Sequence, residues 1–320
     1  LYTIATDPIV EDGKLKGVVI ENKSGRQAVL AKVVIDASGD GDIAARAGAD
    51  FIKGRETDGA MQPVSLMFKV GGVDYERAIF PSRFEDTIQI PAGEVQTLGK
   101  EHLPFPAGHV LLYRTSLPGV VTCNMTNCIE VDGTNAAELA RATLVCRQQL
   151  QPILNFLHEY VPGYENCYLL SSAALIGVRE TRHFKGLATI TEDDIRQARV
   201  FPDWAVTYAS FNFDIHNMSG SGLDATGAQD AFKPTFYTIP YGCLVPEKLD
   251  GLLLAGRNIS GTHMAHSNYR VMPICANMGQ ATGTAAAMCA KEGIEPRHVN
   301  VADLQAILLQ NGVLSPSENK

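Results

Sequence analysis

Charge is scarce in this sequence: Asp, Glu, Lys and Arg make up 19% of its 320 residues, against 45% for the apolar class AVILMFWYC. That balance excludes a disordered polymer, because enough apolar side chains are present to build a core. Long apolar runs are missing too. None approaches the roughly 18 residues that a membrane span needs, so a soluble chain with no membrane partner is expected. Basic residues are the minority, 27 against 35 acidic for a net charge of −8, which speaks against nucleic acid as a ligand. The seven cysteines are scattered and odd in number, which excludes a disulfide framework and fits reduced thiols in a cytoplasmic location. Cys123 and Cys128 have no second pair at metal-ligand spacing, so no metal is expected. The patterns G-x-S-x-G, G-x-x-x-x-G-K-[ST] and H-E-x-x-H do not occur, and the hydrolase, P-loop and zincin readings fall with them. There is no internal repeat. Leu1-Tyr2-Thr3-Ile4 enters strand-like sequence directly, with no initiator Met or signal pattern, and reads as a chain already in progress.

What is present is α/β in character, and the length favours two domains or one large composite domain. Residues 1–36 alternate β-rich stretches with Asp12-Gly13 and Asn22-Lys23-Ser24-Gly25, predicting a small antiparallel meander. Val33-Val34-Ile35-Asp36 reads as a buried strand, followed by a glycine turn and a short Ala-rich helix ending near Gly48. Gln62 to Asp74 is strand-like, and residues 75–120 carry no long periodicity. Leu139, Thr143, Cys146, Leu150, Ile153 and Leu157 fall on one helical face, in a helix that Pro152 must kink or divide. Ser172 to Ile190 looks extended, and Thr191 with Asp194 forms a capping box for a short helix. Leu252-Leu253-Leu254-Ala255 is a buried strand, Gly256 to Asn268 a polar loop, and Val271 to Glu292 a helix with Gly279, Gly283 and Ala287 along one smooth face. A last helix follows Asn300, with Asp303 as cap partner.

Two loops have the chemistry of a cofactor site. Ser38-Gly39-Asp40-Gly41-Asp42, continuing to Ala44, joins a strand to a helix with small residues that let backbone amides approach a pyrophosphate. A plain turn capped by Asp42 explains the same letters, and no ribose-binding acid follows at the expected distance of about 20 residues. Gly256-Arg257-Asn258 through His263 and His266 lies between a buried strand and the small-faced helix, where open α/β sheets place ligands. The positive end of that helix, from Met272 to Gly279, would stabilise an anion such as a reduced flavin. Arg179-Glu180-Thr181-Arg182 offers either a structural ion pair or a carboxylate clamp. Asp214-Ile215-His216 is a further acid/base candidate, and Arg270 a further cation.

Taken together, Val33 to Asp42, Ile176 to Arg182, Asp214-Ile215-His216, Ile239-Pro240-Tyr241-Gly242, Leu252 to Arg257 and Ser260 to Pro273 resemble the bacterial FAD-dependent oxidoreductases of the "FAD-oxidored" type, within the glutathione-reductase-like flavoproteins. The resemblance implies FAD as cofactor and an incomplete FAD/NAD(P)-binding Rossmann-like domain built from both chain ends, residues 1–63 and 239–320. An α+β substrate or cap domain, residues 64–238, would be inserted between them. It implies flavin contacts from Ser38, Gly39, Asp40, Gly41, Gly256, Arg257, Asn258, Met272 and Gly279. A small organic substrate would be held or protonated by Arg179, Arg182, His216, His263, His266 and Arg270, with hydride passing to or from flavin N5. The family begins with a G-x-G-x-x-G strand-turn-helix unit that this sequence lacks, and Arg257 stands where an acid is common. The expectation is therefore a fragment, or a chain whose first unit comes from a missing N-terminal segment or a partner chain; a homo-oligomer is also open. Two competing expectations are a non-catalytic flavin-fold subunit and an electron-transfer subunit like that of heterodisulfide reductase.

Overall fold

The computed structural model describes residues 1–224 and 235–316. It is a mixed α/β protein that divides into two compact units. One comprises Leu1–Gly59, Thr181–Asp214 and the described part of Ala231–Lys320; the other comprises Ala60–Glu180 and the described part of Ile215–Asp230. The segment 64–238, expected as one insert, is thus shared between units. Thr181–Asp214 belongs to the first because the strand Arg182–Phe184 pairs antiparallel with Phe51–Lys53.

In the first unit the predicted meander is present as Thr3–Glu11, Lys14–Asn22 and Gly25–Leu30. Glu11 faces Lys14 across Asp12-Gly13, the two-residue hairpin that this dipeptide favours. The strand Val34–Asp36 then pairs in parallel with Leu252–Leu254, Val34 opposite Leu252 and Asp36 opposite Leu254. Such a pair, apolar except for Asp36, must be covered. The helix Met272–Glu292 supplies part of the cover, burying Ile274, Met278, Ala281, Ala285 and Met288 at alternating steps of four and three. Its other face, Ala276, Gly279, Gly283 and Ala287, is exposed. Pro273 sits in the first turn, where its missing N–H costs nothing, and Gly293 ends the helix in the left-handed conformation. The Thr191 capping box opens the helix Glu192–Arg196, as its sequence predicts. The polar loop expected at 256–268 contains a helix instead, His263–Tyr269, because the Thr262 side chain caps it by accepting from the Ala265 amide. The last helix, Val301–Gln310, is capped by Asn300 on Ala302, with Asp303 in its first turn.

The second unit is built on a four-stranded antiparallel sheet in the order Tyr168–Ser172, Phe68–Gly71, Val121–Cys123, Leu112–Arg114. Phe68, Val70, Leu112 and Val121 share a core with Ile153, Leu154 and Leu157. The predicted long helix is two, Ala136–Gln148 and Leu150–Tyr160. They part at Gln149, whose buried amide exchanges two hydrogen bonds with the Asn127 backbone, at 2.9 and 2.8 Å. Pro152 then falls in the first turn of the second helix, where it is tolerated. The aperiodic stretch 75–120 holds a helix, Val95–His102, opened by the Glu94 side chain accepting from the Gln96 and Thr97 amides. Among the described residues no helix is long and apolar enough to cross a membrane.

Candidate functional site

The first unit's site starts at the carboxyl ends of its parallel strand pair. Asp36 is buried, and its carboxylate holds the following turn: Oδ1 accepts from the Ser38 amide and hydroxyl at 3.0 and 2.6 Å, and Oδ2 from the Ala44 amide at 2.9 Å. Ser38 Oγ in turn accepts from the Gly41 and Asp42 amides at 3.1 and 3.3 Å. The N-cap of helix Asp42–Arg46 is Gly41, in the left-handed conformation with φ 64° and with no side-chain cap bond. The cap expected from Asp42 is therefore not formed; Asp36 and Ser38 do that work from the N-terminal side. The amides of Gly41, Asp42 and Ala44 are already satisfied within the turn, so they do not face a pyrophosphate.

Asp40 ties this turn to two other segments. Its Oδ1 accepts from Arg257 Nη1 at 3.1 Å and from the Thr181 hydroxyl at 2.9 Å. The Arg257 guanidinium lies against Gly39, where any Cβ would meet it. Arg182 Nη1 donates to the Asp40 carbonyl at 2.8 Å and to Asp42 Oδ1 at 2.9 Å, with its guanidinium 5.3 Å from the Phe51 ring centroid. The structure thus brings together Ser38, Gly39, Asp40, Gly41, Arg182, Arg257 and, beside them, Asn258.

Asn258 is fully buried. Its Nδ2 donates to the Asp36 carbonyl at 3.0 Å, while its Oδ1 has no hydrogen-bond partner. Gly256 precedes it with φ 106° and open space where a Cβ would stand. At Gly279 and Gly283 the space is likewise open. Helix Met272–Glu292, 21 residues long, begins without a side-chain cap from Val271, leaving its first amides to other acceptors. Arg257 is felt at this helix start. Burial raises the pKa of the Cys275 thiol, while Arg257 and Arg270 pull it back down.

The two histidines of the loop are buried within helix His263–Tyr269. The His263 amide donates to Glu56 Oε1 at 2.7 Å, and the Thr262 hydroxyl donates to Glu192 Oε2 at 2.7 Å, so two carboxylates anchor the helix start. The His266 ring lies edge-on to His183 at 4.7 Å and to Tyr269 at 5.6 Å. Arg270 pairs with Asp214, donating at 2.7 Å to Oδ2 and 2.9 Å to the carbonyl, while its Nε is buried without a partner. Asp36, Glu56 and His183 carry much of this arrangement and were not singled out by sequence. Only Asp36 left a signal, a carboxylate closing a buried strand just before a glycine turn.

Arg179 and His216 belong to the second unit. Arg179 donates to the Pro63 carbonyl at 2.7 Å and to Ser65 Oγ at 3.0 Å. The His216 amide donates to Gln62 Oε1 at 3.2 Å, and its ring meets Phe84 edge-on at 5.1 Å.

Residues 1–308 match the sequence model of a family described as FAD dependent oxidoreductase. No curated protein matches the chain. Among solved structures the chain is similar to a geranylgeranyl bacteriochlorophyll reductase-like protein from Thermoplasma acidophilum, at 11% identity and a TM-score of 0.44, over 97% of this chain and 54% of that one. It is also similar to p-nitrophenol 4-monooxygenase from Pseudomonas putida, at 10% identity and a TM-score of 0.38, over 91% of this chain and 49% of the other. The myxobacterial chondrochloren halogenase is 14% identical with a TM-score of 0.36, over 92% and 48% of the two chains. The chain spans about half the length of these solved structures.

Proposed function

The chain belongs to the FAD dependent oxidoreductase family, whose cofactor is FAD, and on that premise we propose that it is the flavin-handling part of an enzyme moving a hydride between a small organic substrate and flavin N5. One observation carries this reading: the family's pattern runs over residues 1–308. When bound, the flavin supplies the redox chemistry, and the protein supplies position and charge.

The residues of the first unit fit such a group. Asn258 Oδ1 is a buried acceptor without a partner, suited to a hydroxyl or N–H of the cofactor. The open backbone at Gly256 and the exposed Gly279 and Gly283 face let a flat or chain-like group lie close. The amino end of helix Met272–Glu292 stabilises negative charge, and Arg257, steadied by Asp40, adds a cation beside it. The amides of Ser38, Gly41, Asp42 and Ala44 are taken within the turn, so they are not the groups proposed to hold the phosphates of FAD. In the first unit Arg182, Arg270, His263 and His266 are proposed to hold a substrate carboxylate or to hold and release a proton; within the second unit Arg179 and His216 are proposed, separately, as groups of the same kind. Neither nucleic acid nor a membrane is a partner in this reading.

The test is the near-ultraviolet and visible absorbance spectrum of the purified chain after saturation with FAD and removal of the excess. A retained flavin band that Asn258→Leu weakens supports the proposal. A bare protein spectrum at saturating FAD counts against it.

A further inference from the structure

The first unit holds a cleft of about 310 Å³ whose lining shares no residue with the cofactor turn, and that volume falls within the range of small-ligand sites, about 300–1,000 Å³. One wall is the strand Trp204–Ala209, which pairs antiparallel with Tyr237–Pro240. The others are the helices Met272–Glu292 and Val301–Gln310 and the segment from Asn311 to Leu314. A bulge shapes the strand wall. Val206 faces Ile239 and Ala209 faces Tyr237, so three steps on one strand answer two on the other, and Tyr208 takes up the extra residue at φ 53°. A bulky residue rarely adopts that left-handed conformation, and here both ends of its side chain are held. The Tyr208 hydroxyl donates to the Ser315 carbonyl at 3.2 Å, and its ring meets Phe236 edge-on at 5.2 Å. The Thr207 hydroxyl donates to the Leu314 carbonyl at 3.1 Å. The bulge thus straps the chain beyond the last helix across the strand and fixes that side of the cleft.

The lining selects the chemistry of an occupant. Val206 and Leu308 are buried and give the cleft an apolar floor. Three exposed carboxamides, Asn277, Gln280 and Asn311, stand at its mouth. Among the described residues no acidic, basic or histidine side chain lines it, so a charged ligand would give up water without meeting a counter-charge. A carboxamide offers an N–H donor and a carbonyl acceptor side by side, and a second amide edge answers both in one plane.

We propose that this cleft binds a small, neutral, flat molecule with a carboxamide or lactam edge, its apolar part on Val206 and Leu308 and its amide edge paired with a side-chain carboxamide at the mouth. A carboxylate of the same shape brings a charge that nothing in the lining meets. An amide without N–H cannot complete the paired edge. The proposal goes beyond the flavin reading and uses none of the side chains named there for cofactor or substrate.

The experiment titrates the 15N-labelled chain with benzamide, benzoate and N,N-dimethylbenzamide and follows the side-chain NH2 resonances of Asn277, Gln280 and Asn311. Benzamide is expected to move them saturably, and the other two probes to bind about tenfold more weakly. A variant carrying Asn277→Ala, Gln280→Ala and Asn311→Ala together should bind benzamide about five- to tenfold more weakly, the worth of one hydrogen bond. Equal affinity for the three probes, no saturable shift with benzamide, or an unchanged affinity in the triple variant would overturn the assignment. Should that variant fail to fold, the comparison of the three probes on the unsubstituted chain decides alone. The benzamide titration is repeated at saturating FAD, with flavin retention read by absorbance on the same samples. Unchanged benzamide affinity is expected whether or not flavin is retained, and displacement of benzamide by FAD would overturn a separate site.

Discussion

Replacing Gly41 by Ala tests whether the strand-turn-helix unit is held by packing as well as by backbone geometry. Gly41 has φ 64°, and a Cβ there would overlap the edge of the Phe184 ring. Phe184 cannot step aside freely. It is 1% exposed, shares a core with Ile43 and Ala44, and packs 5.5 Å from Phe51 between ring centroids. The left-handed conformation should cost about 1–2 kcal/mol for a residue with a Cβ. Overpacking a closed core should add about 1–3 kcal/mol. Gly48 provides the control, because it has φ 91° but nothing within 4 Å of the added Cβ. Gly48→Ala therefore carries only the backbone cost, and the two variants should differ by about 1–3 kcal/mol. With a urea m-value of about 2 kcal/mol per molar, that is a midpoint difference of about 0.5–1.5 M. The assay is urea unfolding followed by fluorescence. Trp204 is the sole tryptophan in the sequence and lies in the same core as Phe184. If both variants lose the same stability, the ring contact contributes nothing and the reasoning is refuted.

Four further outcomes are expected. The folded-state pKa of His109, about 3, lies below the usual histidine value of about 6.5. The unfolded chain then binds the extra proton below pH 6.5, so this group's contribution is intact above that pH and is lost as pH falls toward 3, by up to about 1.4 kcal/mol per pH unit. His109→Phe should flatten that part of the stability profile measured by circular dichroism; an unchanged slope would contradict a buried neutral ring. Arg182→Ala removes two hydrogen bonds and the Phe51 contact, and should cost about 1–3 kcal/mol in urea unfolding; a variant that keeps full turnover would remove Arg182 from the proposed substrate groups. Arg257→Met should lower retained FAD by about tenfold at a fixed concentration, with a stability change near 1 kcal/mol; unchanged retention would remove Arg257 from the cofactor's surroundings. Thr191→Ala, which breaks a capping box, should cost about 1 kcal/mol, and a loss well under half of that would show the helix Glu192–Arg196 to be held by its packing alone.

The legible parts of this fold are those in which a local pattern and the tertiary environment agree. The meander, the strand Val34–Asp36 and the helix Met272–Glu292 each have an apolar run or stripe punctuated by glycine, asparagine or proline, and each forms close to its expected place. Short helices were less legible. Val95–His102 and His263–Tyr269 span only two turns or so and depend on a single capping side chain, Glu94 or Thr262, so periodicity has too few residues to register. At the site, the glycine turn could be found, but not its wiring. Nothing local distinguishes a cap by Asp42 from one supplied by Asp36, six residues earlier, because the difference lies in the fold of the loop between them. The bond between Gln62 and His216 left no trace for a related reason. Its partners are 154 positions apart in the sequence and meet only once the second unit is assembled.

The threading of the two units has a consequence for how the protein is made. The strand Val34–Asp36 is made more than two hundred residues before the partner that covers one of its edges, Leu252–Leu254, and before the helix Met272–Glu292 packed on both. The first unit therefore cannot close until those later segments have left the ribosome. Much of the second unit is contiguous, Ala60–Glu180, and carries its sheet and both of its cores within that stretch. Domains tend to fold as they are completed, and contacts distant in sequence form slowly. Biosynthesis should therefore yield an ordered second unit while the strand Val34–Asp36 and the turn that follows it wait for the segments from Leu252 onward.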